Sequence, residues 1–407
     1  MLTCNKDRVQ NKIETFATFG DAGHGGITRF SLSEEALGAR AEFVKRMRVL
    51  GIETVTDDMA NMYATLPGTE TDLPRIVMAS HCDSVRNGGN YDGILGVITA
   101  MEVVETIATE KISHRHPITA MIWTNEEGSL YPPAMMSSGV VCGKFDKAEM
   151  LDSKSSKGKT FGEALKQSGY VGDAGNRLSP KDYMAMLELH IEQGPVLEAE
   201  NKQIGVVEGV VGMVNYRIRT YGQSDHAGTT PMPYRRDALL AAASALKYLH
   251  VELDKLDSSL VYTTGEILCH PCVHTVIPDL VDFSLDARHQ NPKVIKQVVE
   301  IIKNMPKEFD KCEVKYQKAW ARSTIEFNEE LVGFTEKSAD AYGYTSKRMY
   351  SGAGHDAQFV AEIIPTTMIF VPSKDGHSHC EPEFTSVEEC FRGINVVLQT
   401  VLEIDKK

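Results

Sequence analysis

Hydrophobic and polar positions along this chain fall into two kinds of block. In the first kind, short unbroken apolar runs end in polar residues and lead into stretches with apolar positions at helical spacing, which predicts buried strands alternating with helices. RIVMASHCDSV is such a run, a strand that delivers His81 at its C-terminal end. DGILGVITAMEVVETIATEK, opening on Asp92, is the helix that follows. ITAMIWTNEEGS repeats the pattern, a buried strand breaking into a loop with Glu126 and Glu127, and YMAMLELHIEQGP brings His190 before Gly194 and Pro195 close the run. Polar clusters at strand C-termini are where open α/β sheets build sites.

From about residue 210 the pattern changes. VNYRIRTYG alternates as a strand does, RRDALLAAASALKYLHVEL is an amphipathic helix, and LVYTTGEILC and LVDFSLDARH are two further strands. The helix PKVIKQVVEIIKNM and a strand around CEVKYQKAW complete a β-α-β-β-α-β order, the ferredoxin-like unit. The last stretch returns to the first pattern: a helix (NEELVGFTEKSADAYG), a strand (PTTMIFVPS), a loop with His379 and a closing helix. The expected fold is therefore α/β, a mixed sheet flanked by helices formed by residues 1–209 and 326–407, with an α+β domain inserted at 210–325. No internal repeat, low-complexity tract or proline-rich linker interrupts it.

Composition narrows the function classes. A chain of 407 residues with 42% hydrophobic content can bury a large core in two or three domains. A formal charge of −13 argues against nucleic acid or an anionic membrane as partner, since both need clustered Lys and Arg. MLTCNKDRVQNKIETF has no apolar run of signal-peptide length and no later stretch approaches a membrane span, so a cytoplasmic location is expected. The eight cysteines are dispersed, which suits free thiols in a reducing compartment. Cys269 and Cys272 alone have CxxC spacing; a redox pair or half a zinc site is open to them, but a second CxxC or a thioredoxin-like context is missing.

Five residues of metal-ligand type are scattered along the chain: His81, Asp92, Glu127, His190 and His379. None pair in the i, i+4 pattern of HExxH, so they can meet only through tertiary folding. Their mixture of imidazole and carboxylate suits zinc, manganese, cobalt or nickel, and Asp92 has two oxygens with which to bridge a pair of ions. Converged, they would hold two divalent metal ions and make a hydrolase. Each also has a plainer reading: His81 as a satisfied histidine beside a capping Asp83, Asp92 as a turn former in NYDG, Glu126 and Glu127 as a solvated acidic loop. His81 and Asp83, two apart at a strand end, point the same way, so the Asp83 carboxylate is expected to orient the imidazole. His377 stands two residues before His379 and could project to the same side.

The strings MASHCDSVRNGGNYDGILGV, TNEEGS, LELHIEQGPVLE, GQSDHAGTTPMPYRRDA and GHSHCEPE resemble, in order, the signature blocks of the dinuclear-metal amidohydrolases and peptidases related to aminoacylases and carboxypeptidases. HIEQGPVLE and GGITRFSLS are similar to the branch of N-carbamoyl-L-amino-acid hydrolases, β-ureidopropionases and allantoate amidohydrolases. The resemblance covers about residues 20–400 and implies a metallopeptidase-like catalytic domain with an inserted lid that also dimerises. It implies Asp92 as the bridging ligand, Glu127 as a ligand, and Glu126 as the general base, because a carboxylate off the metal keeps the proton affinity that one bound to it loses. It favours His379 over His377. It implies that His226 reaches the scissile carbonyl from the lid of the partner subunit, hence a homodimer, and that Gln223, Arg288 and the Gly354 backbone contact substrate, with Arg288 gripping a carboxylate. A surface histidine and a structural salt bridge are the plainer readings of His226 and Arg288.

Two departures bear on the substrate. Where the family commonly has Asn-Val-(Val/Ile)-Pro-Gly, this chain has Thr275-Val276-Ile277-Pro278-Asp279, and a threonine cannot supply an amide's donor and acceptor together, so His274 or Asp279 could shift selectivity. After the acid pair, the Tyr131-Pro132-Pro133 loop is expected to bring a ring and a hydroxyl near the metals. The function expected is hydrolysis of a linear C–N bond, foremost the N-carbamoyl group of an amino acid, giving amino acid, carbon dioxide and ammonia. Allantoate or another ureido acid, or an N-acyl amino acid or dipeptide, is the alternative substrate; a binding protein that lost catalysis is the alternative class, and it would lack a ligand or Glu126.

Overall fold

The unbroken apolar runs form the centre of a nine-stranded sheet. In the computed structural model, which describes residues 2–407, four strands lie side by side and parallel, in the order Ile118–Trp123, Arg75–His81, Tyr183–Ile191 and Thr366–Val371. Every residue of Ile118–Trp123 and Thr366–Val371 is buried. Strands covered on both faces have no solvent side, which is why these sequences show no alternation. Met62–Leu66 and Ile204–Val210 join the parallel core as antiparallel neighbours, so the sheet is mixed.

Parallel strands need crossover connections, and helices supply them. Ile94–Thr109 follows Arg75–His81 and is buried over almost its whole length. Its one buried acid, Glu102, accepts from Lys12 Nζ at 2.6 Å and Arg8 Nη2 at 2.7 Å, which ties the helix Lys6–Ala17 to it. The closing helix Val387–Ile404 starts in a capping box between Ser386 and Glu389. The parallel strands all end on one edge of the sheet, and each is followed there by irregular chain.

This sheet and its helices are one unit, made of the residues up to Gly209 and Glu326–Lys407; Val210–Ile325 is a second. In the second, Gly212–Tyr221 lies between Cys312–Arg322 and Leu280–His289, all antiparallel, and the helices Ala238–Leu253 and Pro292–Asn304 close a core around Ile218, Leu249, Phe283 and Val298. This is the ferredoxin-like order. LVYTTGEILC does not form one strand: Val261–Thr263 and Ile267–His270 pair separately with Leu280–His289. From Thr263 to Ile267 is four steps, whereas their partners Asp286 and Phe283 are three apart, so one extra residue falls between the two pairings. Among the described residues no helix is long and apolar enough to cross a membrane, and all eight cysteines are free thiols.

Candidate active site

His81 is the last residue of its strand and His190 the next to last of its own, and both rings are buried. Nδ1 of His81 lies 3.0 Å from the Asp83 carbonyl, and Nδ1 of His190 lies 3.0 Å from the Ile191 carbonyl. A carbonyl can only accept, so each Nδ1 carries the proton and each Nε2 presents a lone pair. The two Nε2 atoms turn to the same oxygen, Asp92 Oδ1, at 3.5 and 3.3 Å. Asp92 Oδ2 lies 3.3 Å from His379 Nε2, which is 3.6 Å from Glu127 Oε2. The five residues thus gather into two groups, His81-Asp92-His190 and Asp92-Glu127-His379, within each of which one donor atom per residue lies within 4.8 Å of the others. Asp92 belongs to both and offers one oxygen to each.

These donors fit divalent cations. Ligand atoms about 3.3–3.6 Å apart are long for hydrogen bonds but suit an ion at ~2.0–2.2 Å from each. Glu127 Oε1 is buried with no hydrogen-bond partner, an acceptor whose desolvation a cation would offset. Gly93, at φ +66°, admits the His81 ring: a Cβ there would overlap the imidazole.

Burial pushes the Glu126 carboxyl well above the usual carboxylate range; His81 opposes this, while Asp356, Glu127 and Asp83 add to it. Burial, then Asp92, raises Glu127 to about 7. Burial acts against Asp92 ionising as well, but His190, His379 and His81 outweigh it and hold the carboxyl well below its usual range. Glu126 Oε2 is 3.7 Å from His81 Nε2, beside the first group but a member of neither.

Asp83 departs from expectation. Its backbone carbonyl, not its carboxylate, meets His81 Nδ1, and the carboxylate stands 3.9 Å away. That carboxylate instead accepts the backbone N–H of Glu126 at 3.3 Å and of Glu127 at 3.1 Å. The strand ends at His81, so the alternation that would align the two side chains no longer applies. The Tyr131 ring is buried edge-on to Phe161 at 5.5 Å, in an apolar cluster with Met59, Met136 and Val140. Apolar burial decides its place. His377 is exposed and belongs to neither ligand group.

Gln193 carries no metal-ligand signal in the sequence. Its Nε2 donates to Asp92 Oδ2 at 2.7 Å, and its Oε1 is buried without a partner. The available signal was its place three residues after His190 in HIEQGP. His355 is a second such residue, its ring edge-on to that of His190 at 4.7 Å and its Nε2 2.8 Å from Ser351 Oγ. Gly354 directly precedes it. Glu188, which accepts from Ser80 Oγ at 2.7 Å, completes a third group with His190 and His355; two before His190 on one strand, it shares that residue's face.

The remaining expected residues lie in the second unit. His226 is exposed, and its Nδ1 accepts the N–H groups of Gly228 at 2.9 Å and Thr229 at 3.3 Å, which leaves the proton of the neutral ring on Nε2. The segments Asp225–Ala227 and Thr275–Ile277 run side by side: Ala227 N donates to the Thr275 carbonyl and Ile277 N to the Asp225 carbonyl, each at 2.9 Å. Thr275 therefore holds the His226 loop through its main chain. Gln223 is exposed, and its Nε2 donates to Asp225 at 3.1 Å. Arg288 Nε donates to Asp286 at 2.7 Å, and Asp279 meets His270 Nδ1 at 2.7 Å.

The sequence profile described as peptidase family M20/M25/M40 matches residues 66–403. An N-carbamoyl-L-amino-acid amidohydrolase of Rhizobium meliloti is 34% identical over 402 residues, covering 98% of this chain and 96% of the relative. An allantoate amidohydrolase of Bacillus subtilis (strain 168) is 32% identical over 405 residues, with 98% of each covered. Among solved structures, an amidase of the hydantoinase/carbamoylase family from Burkholderia multivorans matches at a TM-score of 0.91 and 36% identity, covering 100% of this chain and 99% of that one.

Proposed function

Given that this chain belongs to peptidase family M20/M25/M40, we propose that it is a metal-dependent amidohydrolase of ureido acids, its foremost substrate an N-carbamoyl amino acid. The observation that carries this reading is the sharing of Asp92 between two ligand groups. His81 and His190 would hold one divalent ion, Glu127 and His379 the other, with Asp92 across both; manganese, zinc, cobalt and nickel all suit the donor set. Bound there, the ions supply positive charge that lowers the proton affinity of water and polarises a carbonyl.

The rest of the chemistry falls to the chain's own groups. Glu126, with burial as the main cause of its high proton affinity, takes the proton of the attacking water and passes it to the leaving nitrogen. The Asp83 carboxylate holds the backbone of Glu126 and Glu127 in place for this. In this reading His226 reaches the carbonyl oxygen from the lid of a second copy of the chain and donates its Nε2–H as negative charge develops, and Arg288 pairs with the substrate carboxylate. Gln223, Thr275 and the Gly354 N–H complete substrate contact in this reading. Water adds to the carbamoyl carbon, the C–N bond to the amino acid breaks, and the released carbamate decomposes to carbon dioxide and ammonia.

The likeness to an allantoate amidohydrolase makes allantoate the second substrate reading. Exposed Met232, Tyr234, Val261 and Leu268 in the second unit support a homodimer formed through it. The free thiols support a cytoplasmic location. A panel of N-carbamoyl, N-formyl and N-acetyl amino acids, allantoate and dipeptides, scored for ammonia and free amine, tests the reading. N-carbamoyl amino acids should turn over fastest with ammonia released; preferred cleavage of dipeptides without ammonia would overturn it.

A further inference from the structure

The two loops that carry Asp92 and His379 meet on one buried acid, Glu383. Its Oε1 accepts the backbone N–H of Tyr91 at 2.9 Å and of Asp92 at 3.0 Å. Its Oε2 accepts the N–H of His379 at 3.3 Å. Ser378 Oγ stands 3.4 Å from that same oxygen and 3.1 Å from Asp92 Oδ2; a hydroxyl has one proton, and the shorter contact gives it to Asp92. The neighbouring rings of Tyr91 and Phe384 pack edge to face at 5.8 Å, a second contact between the same loops. Gly89 leaves room for the arrangement, since a Cβ there would overlap the Glu383 carboxylate.

Neither loop is fixed by regular structure. Tyr91 and Glu383 are 292 residues apart in sequence, and His379 has left-handed backbone at φ 57°. A carboxylate suits the junction because acceptors are needed on both of its oxygens. We propose that Glu383 is a positioning residue, a strut that fixes the backbone of Asp92 and His379 so that Asp92, Glu127 and His379 meet at the spacing a second divalent ion requires. This rests on the two-ion reading above. Partners that orient ligands from outside the coordination sphere are worth about 10–100-fold in metal affinity.

The test is E383Q. Glutamine keeps the size but has one acceptor oxygen, so its NH2 must face an N–H of one loop or the other. Metal-free parent, E383Q, E383D and G89A are titrated with Mn2+ by calorimetry, and the metal-free melting temperatures and the split between kcat and KM are recorded. In E383Q the weaker of two sites should lose about 10–100-fold in affinity while the tighter is retained, the metal-free melting temperature stays near that of the parent, and kcat falls with KM little changed. G89A, which displaces the Glu383 carboxylate, should share the loss at the weaker site, and E383D, too short to span both loops, should share it in part. Unchanged affinity at both sites in E383Q and G89A overturns the strut. A parent that binds fewer than two ions overturns instead the reading on which the strut rests.

Discussion

His81 Nδ1 hydrogen-bonds to the backbone carbonyl of Asp83 at 3.0 Å, while the Asp83 carboxylate, 3.9 Å from that nitrogen, serves the loop of Glu126 and Glu127. The two parts of one residue thus have separate tasks, the main chain setting a ligand tautomer and the side chain setting the acid pair.

This separation makes Asp83→Asn informative. The backbone carbonyl persists, so His81 keeps its tautomer and the ion on His81 and His190 should be retained. The amide has one acceptor oxygen for two N–H groups, so Glu126 and Glu127 are misplaced and kcat should fall about 10–100-fold, a loss of ~1.4–2.7 kcal/mol in barrier terms. Elemental analysis beside steady-state kinetics checks both halves, and loss of both ions would assign the carboxylate to His81 after all.

Glu126→Gln removes the proton acceptor but belongs to neither ligand group. Turnover of the preferred substrate should drop about 100- to 10,000-fold, the range of general acid–base contributions, with metal content retained. Full hydrolysis of every accepted substrate by this variant would rule out Glu126 as the base.

Away from the site, Glu102 with Lys12 and Arg8 gives a stability prediction. Burial alone would raise the Glu102 carboxyl, but Arg8 and Lys12 bring it below its usual value. A carboxyl with a folded pKa below its unfolded one stabilises fully above the unfolded value, near 4.3, and the contribution disappears as pH falls through the folded pKa. Glu102→Ala leaves the fully buried Lys12 ammonium with the partly exposed Glu105, at 2.7 Å, as its remaining carboxylate and should cost about 1–3 kcal/mol at neutral pH. Urea unfolding between pH 7 and 3 measures this, and the parent's advantage over the variant should shrink toward the acid end.

Much of this architecture is legible in the sequence for a physical reason. Parallel strands covered on both faces must be unbroken apolar runs, so the places of His81, Glu126, Glu127 and His190 at strand ends are legible from the sequence. The β-α-β-β-α-β order of the inserted unit is local periodicity and shows equally well. Side-chain alternation holds only inside a strand, and this strand stops at His81, so the place of the Asp83 carboxylate is not legible from it. No local pattern says which apolar cluster a loop aromatic such as Tyr131 joins. Gln193 and Glu383 carry no periodic signal: Asp92 lies 101 residues from Gln193 and Tyr91 lies 292 residues from Glu383, and each pair meets only in the folded chain.

The sharing of Asp92 is tested most directly by counting ions against turnover. Metal-free protein is titrated with Mn2+ while bound metal per chain and ammonia release from an N-carbamoyl amino acid are followed together. Two ions per chain should bind, with full turnover reached only as the second site fills. Saturation at one ion or none with full activity would contradict the shared carboxylate and the chemistry built on it.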